Sequence, residues 1–208
     1  MHRYTERMAR AAAVSSETGK SLRVDAERRR QALLCAAASV FLQEGIDAPL
    51  ENVAREAGVG IATLYRRFPT RDALVEAVFD VKMETHADRA EELAERADTD
   101  PRGALADHVR GIVEMQVADP AFGEAMMRPH QGSDLFADSH TRAMRAARRI
   151  ILRARRAGVV RQDLRDADLY LVVVAAAAVV RGPGPIEPAR AARRLVELFL
   201  DAFELPGA

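Results

Sequence analysis

Apolar residues recur at helical spacing along most of this chain. Leu33, Leu34, Ala37, Val40 and Phe41 follow the rhythm of a helix with one inward face. Asp25 stands before it as an N-cap and Gly45 after it as a stop. Pro49 suits the first turn of a second helix, which runs through Val53 and Ala54 to Ala57 and ends at Gly58. A third helix is expected from about Ile61 to Phe68, because Pro69 drives the residue before it out of helical geometry. Thr70 then caps a long fourth helix, with Asp72 in its first turn and Leu74, Val75, Val78 and Phe79 as its stripe.

The same punctuation continues beyond Asp98. Asp100-Pro101 opens a helix through Val109, Ile112 and Val113, and Asp119-Pro120 breaks it. From Phe122 to Phe136 the pattern is weak. Helices are expected again over about Asp138 to Arg156, Asp163 to Val180 and Glu187 to Phe203, the last two parted by Gly182-Pro183-Gly184-Pro185. No segment alternates with the period of a strand, and Val172 to Val174 lies inside an alanine-rich run too long for one. The pattern predicts an all-α protein of about nine helices. Residues 1–23 mix Ser, Thr, Gly and charge without a period and read as a flexible arm.

Length and composition narrow the class. The 208 residues are 49% hydrophobic and 30% charged, which suits a globular domain or two and neither a disordered nor a membrane protein. Basic and acidic residues balance at 31 each, so the chain does not coat nucleic acid by bulk charge. Cys35 is the only cysteine, which excludes an internal disulfide and a multi-cysteine zinc site and allows a reducing compartment. It is placed on the buried side of the first helix, where packing outweighs redox sensing. Arg3, Arg7 and Arg10 precede no apolar run before Lys20, so no secretory signal is read. The most apolar run, Leu169 to Val180, is shorter than the roughly 20 residues a spanning helix needs. The expected location is the cytoplasm, with no membrane partner.

Chemistry concentrates between Leu50 and Leu74. The second and third predicted helices are joined by so few residues that they must cross steeply, as in a helix-turn-helix. Ala54 and Ala57 permit close approach, Gly58 permits a positive φ, Val59 plugs the angle, and Gly60 is an N-cap. The third helix then exposes Thr63, Tyr65, Arg66 and Arg67, with Arg71 just beyond. Hydroxyl and guanidinium groups donate to phosphate oxygens, and arginine also reads guanine in the major groove. A solvated amphipathic helix pair is the plainer reading of the same spacing.

The segment Val53-Ala54-Arg55-Glu56-Ala57-Gly58-Val59, followed by Leu64-Tyr65-Arg66-Arg67-Phe68-Pro69-Thr70-Arg71-Asp72-Ala73-Leu74, resembles the signature of the TetR family of bacterial transcriptional regulators. The resemblance covers about Asp25 to Phe79. It implies a DNA-binding head over residues 24–79 and a ligand-binding and dimerisation domain over 80–208. It also implies that Tyr65 and Arg71 contact phosphates, and that Thr63 and Arg66 approach base edges or nearby phosphates. Gly60 stands where serine is frequent and Pro49 where threonine is usual, so neither position offers a hydroxyl. A homodimer on the last two helices, a roughly palindromic double-stranded DNA operator, an unidentified small-molecule effector and a repressor role complete what the resemblance implies.

The pattern of the last two helices also suggests a dimer. Leu169, Val172, Val173 and Ala176 belong to a helix that is apolar nearly all round, and Leu195, Leu198, Phe199 and Phe203 give the final helix a second stripe. Both helices being plain core is the alternative. His108 shares a face with Ile112, and with Met115, Phe122 and Met127 it would line an internal cavity, although such residues also make ordinary core. The five histidines show no metal-like spacing, so neither a metal nor a cofactor is expected. The arginines of the predicted helix 138–156 read as a solvated face, or as an anionic partner's site. An all-α enzyme and an interaction protein that kept the fold without operator binding remain as rivals.

Overall fold

The computed structural model describes residues 27–128 and 132–203. Nine helices and no strand are found among the described residues. They are α1 (27–44), α2 (Leu50–Glu56), α3 (Ile61–Arg67), α4 (Arg71–Arg96), α5 (Pro101–Ala118), α6 (Pro120–Met127), α7 (Asp134–Arg156), α8 (Asp166–Arg181) and α9 (Pro188–Phe203). The arm read at 1–23 and the cap read at Asp25 lie outside the described residues.

Local chemistry accounts for the boundaries. Gly45 and Gly58 take φ of +85° and +65°, which a side chain would strain, and each turns the chain out of a helix. Thr70, Asp100, Asp119 and Ser133 cap the helices that follow them by accepting from backbone N–H groups at 2.9–3.3 Å. The last two caps correct the sequence reading. The weakly patterned stretch contains α6, and α7 starts at Asp134 rather than Asp138. Eight residues are too few to display a period. Cys35 is also corrected: it is exposed, one position outside the stripe of Leu33, Leu34, Ala37 and Phe41.

The head comprises α1 to α3 closed by the first turns of α4, with Phe41, Ile46, Val53, Leu64 and Leu74 fully out of water. Helix α4 continues unbroken past Phe79 and carries the same core into the body. Helix α7 runs beside α4 in the same direction, and the contacts rise in step. The N–H of Gly132 donates to Glu76, Ser133 donates to Asp80, Arg142 to Asp88 and Glu91, and Arg153 pairs with Asp98. Part of the arginine-rich face is therefore spent on α4, while Arg145, Arg148, Arg149 and Arg156 remain exposed. Helices α5 and α9 are antiparallel, with Arg110 bidentate to Glu197 and Arg193 bidentate to Glu114.

The stripe assigned to dimerisation divides in two. Leu169, Val172, Ala176 and Phe203 are buried within the protomer, so they do not face outward as the sequence reading had them. Val173, Leu195 and Phe199 are half-buried, and Leu198 is 48% exposed. The helix is apolar nearly all round because one face fills the protomer core. Tyr170, Leu171 and Val174 are left exposed, as is Leu198 of α9.

Candidate functional site

Two places concentrate functional chemistry: the outer face of α3 and a chamber in the body. Leu64 is fully buried and Phe68 nearly so, which fixes the roll of α3 against the head. Gly60, Thr63, Tyr65, Arg66 and Arg67 are all exposed. No acidic residue occurs from Gly58 to Arg71, whereas three arginines do. The zero net charge of the chain is thus an average over faces. Arg66 donates to the Thr63 hydroxyl at 3.1 Å, so these two side chains act as one unit.

Arg71 differs from its neighbours. Its Nη1 donates to the carbonyls of Ile46 and Ala48 at 2.9 and 2.6 Å, tying the loop between α1 and α2 to the start of α4. The same loop is held from the body. Arg128 bonds both carboxylate oxygens of Asp47 at 2.6 and 2.7 Å, and Glu124 accepts from the N–H of Ile46 at 3.3 Å. Arg181 of α8 pairs with Glu124 in turn.

The chamber has two lobes. One of about 560 Å³ lies among α4, α5 and α6, where Ile112, Met115 and Phe122 form part of its wall. The other, about 430 Å³, lies among α4 to α8 and touches Ile112, Met127 and Leu169. His86 and His108 border both lobes, with ring centroids 6.2 Å apart and planes inclined by 21°. All five residues singled out by the cavity reading therefore lie on the chamber wall. That reading missed His86, Arg128 and His140, which also line it. His86 had a legible signal: a polar residue on the apolar face made by Met83, Ala87 and Ala90. Its pairing with His108 had none, because the two belong to different helices.

Burial strips both imidazoles of water and holds each uncharged, with pKa lowered to about 4. A smaller repulsion adds to this, from His140 on His86 and from His86 on His108. The unfolded chain takes up these protons near pH 6.5, the native state only near pH 4. Stability from the neutral pair is therefore complete above about pH 6.5 and is lost as pH falls from there towards 4. The slope is about 1.4 kcal/mol per pH unit for each histidine. Urea denaturation should give a lower midpoint at pH 5 than at pH 7, and His108→Gln should narrow that gap; an equal gap in the variant would contradict this assignment.

Among the described residues no cluster of three or more His, Cys, Asp or Glu side chains could hold a metal ion. No helix among them is long and apolar enough to cross a membrane.

Residues 33–78 match the family described as bacterial regulatory proteins, tetR family. Residues 100–203 match the C-terminal domain of SbtR-like transcriptional regulators. Among solved structures, a TetR transcriptional regulator of Streptomyces coelicolor is 34% identical over 86% of this chain and 99% of its own, with a TM-score of 0.52. FadR of Bacillus subtilis, solved in complex with stearoyl-CoA, shares the fold at 14% identity and a TM-score of 0.60, over 84% of this chain and 100% of its own. PfmR of Thermus thermophilus does so at 20% identity and 0.59, over 83% and 99%.

Proposed function

Because the chain belongs to the TetR family of bacterial transcriptional regulators, we propose that it is a dimeric repressor released from a roughly palindromic DNA operator by a small-molecule effector. The observation that carries the DNA-binding part is the outer face of α3, which is hydroxyl- and guanidinium-bearing, free of acids and held by Leu64 and Phe68. Two such helices would enter successive major grooves about 34–36 Å apart. Tyr65 and Arg67 suit phosphate contacts, while the Thr63–Arg66 pair suits base edges.

A second part of the reading concerns release. Either lobe of the chamber falls in the range of small-molecule sites. The FadR structure with stearoyl-CoA gives a precedent for a ligand in this fold. Two routes run from the chamber to the head. Helix α4 lines the wall with His86 and begins shortly after α3, and α6 lines it with Phe122 and is followed by Arg128, which grips the Asp47 loop. A ligand that shifts α4 or α6 would change the spacing of two heads only to the extent that it binds the two spacings unequally, typically by about 1–3 kcal/mol.

Selection of binding sites from random duplexes tests the reading: purified protein should enrich a palindrome, and enrichment of none would refute operator binding. On the selected site, Tyr65→Ala should weaken binding similarly across sequences. Arg67→Ala should do the same and reduce the salt slope by about 2, since one phosphate contact is lost from each protomer of the proposed dimer. Thr63→Ala and Arg66→Ala should instead change base preference, and their effects should not add, since the pair shares a hydrogen bond. Unchanged affinity in all four variants would sink the docking. Arg71→Ala is a poorer probe, because it also frees the loop at Ile46 and Ala48.

A further inference from the structure

We infer that the chamber takes an uncharged, largely apolar molecule carrying a hydroxyl group, a phenol or comparable alcohol, and that His86 and His108 jointly read that hydroxyl. The inference rests on the effector reading above and narrows it to a ligand class.

Three observations carry it. First, His86 and His108 are only 9% and 4% exposed, and both rings border the chamber. A polar group that a bound ligand cuts off from water must find its partner on that ligand, because an unmade bond costs more than a made one gains. Each neutral imidazole offers one donor and one acceptor nitrogen. A hydroxyl, which both donates and accepts, matches that pair, and the two rings stand next to each other with centroids 6.2 Å apart.

Second, the cations at the chamber wall already hold carboxylates. Lys82 pairs with Asp119, Arg89 with Glu92, Arg110 with Glu197 and Arg128 with Asp47. An anionic ligand would have to break one of these pairs or drive a proton onto a histidine that burial keeps neutral. Asp166, also on the wall, adds negative charge, while Asp107 is paired with Arg96. Third, the rest of the wall is mainly apolar, with Thr85, His140 and Tyr170 as its other polar side chains and Met115, Met126, Met127 and Met144 able to adapt to the shape of an apolar body.

The test is calorimetric titration of the full-length protein with three probes of one shape: para-butylphenol, its methyl ether para-butylanisole, and para-butylbenzoate. The phenol should bind, and both others should bind roughly tenfold more weakly or worse, because the ether cannot donate and the benzoate is charged. His108→Phe and His86→Phe should each reduce phenol affinity to about that of the ether, while His108→Gln should retain part of it. Equal affinity for phenol and ether, tighter binding of the benzoate, or no binding by any probe would overturn the inference. Operator affinity measured in parallel separates the two levels. If the selected operator is bound but no probe is, this inference falls and the repressor reading stands. Phenol binding without any selected operator does the reverse.

Discussion

The double substitution Val174→Glu, Leu198→Glu should leave the protein folded but monomeric, and should weaken operator binding by about a hundred- to ten-thousand-fold. In the dimer proposed above the size would follow from avidity: two linked heads bind as a pair, and separating them forfeits the effective concentration of the second head. The two positions are chosen from the structure. Val174 is 37% exposed on α8 and Leu198 48% exposed on α9, so neither supports the protomer core. In a two-fold interface each would meet its own counterpart or a near neighbour, bringing four uncompensated carboxylates into one buried patch. Val172→Glu is the contrasting case. It is two residues away but wholly buried, and it should unfold the protomer rather than split a dimer. Sedimentation equilibrium and operator titration check the outcome. A double variant that remains dimeric would place the interface elsewhere.

Gly132→Ala should lower stability by about 3 kcal/mol or more, an overpacking cost at the upper end because the obstruction is backbone. A Cβ there would sit 2.4 Å from the nitrogen and 2.5 Å from the Cα of Ala73. No side chain can rotate away to admit it. The N–H of Gly132 also donates to the buried Glu76 at 2.9 Å, so displacing the loop breaks that bond as well. For a chain of this size the melting temperature should fall by about 6–12 °C. Gly111→Ala supplies the control. It lies within α5 with nothing within 4 Å of a new Cβ, and it should raise stability by up to about 1 kcal/mol through helix propensity. Equal melting temperatures for Gly132→Ala and the parent protein would mean that the α6–α7 junction does not rest on α4 in this way. Because Ala73 follows α3 by a few residues, the same variant should also disturb operator affinity.

The contrast between these two predictions marks what could be read without coordinates. Val172 and Val174 belong to one apolar run, and periodicity alone assigned the whole run to a dimer face. Only the packing of α8 shows that Leu169, Val172 and Ala176 turn inward while Tyr170, Leu171 and Val174 do not. Gly132 carried no signal beyond that of a loop glycine, since the backbone it touches is far away in sequence. The apolar neighbours of Cys35 place it on the inner side of α1 by pattern, whereas the roll of the helix turns it outward.

By itself the sequence determined the all-helical class, most helix ends, the helix-turn-helix and the side chains that α3 offers. Each of these depends on residues within a turn or two of one another: caps, stops, a glycine at positive φ, an apolar stripe. What required the tertiary structure was every feature made by residues distant along the chain. The meeting of His86 with His108, the three-way grip on the Asp47 loop by Arg71, Glu124 and Arg128, and the choice between inner and outer faces of α8 are of this kind. Local rules set where a helix begins and which residues share its face. They do not set which other helix that face meets, because that choice is made by the packing of the whole core.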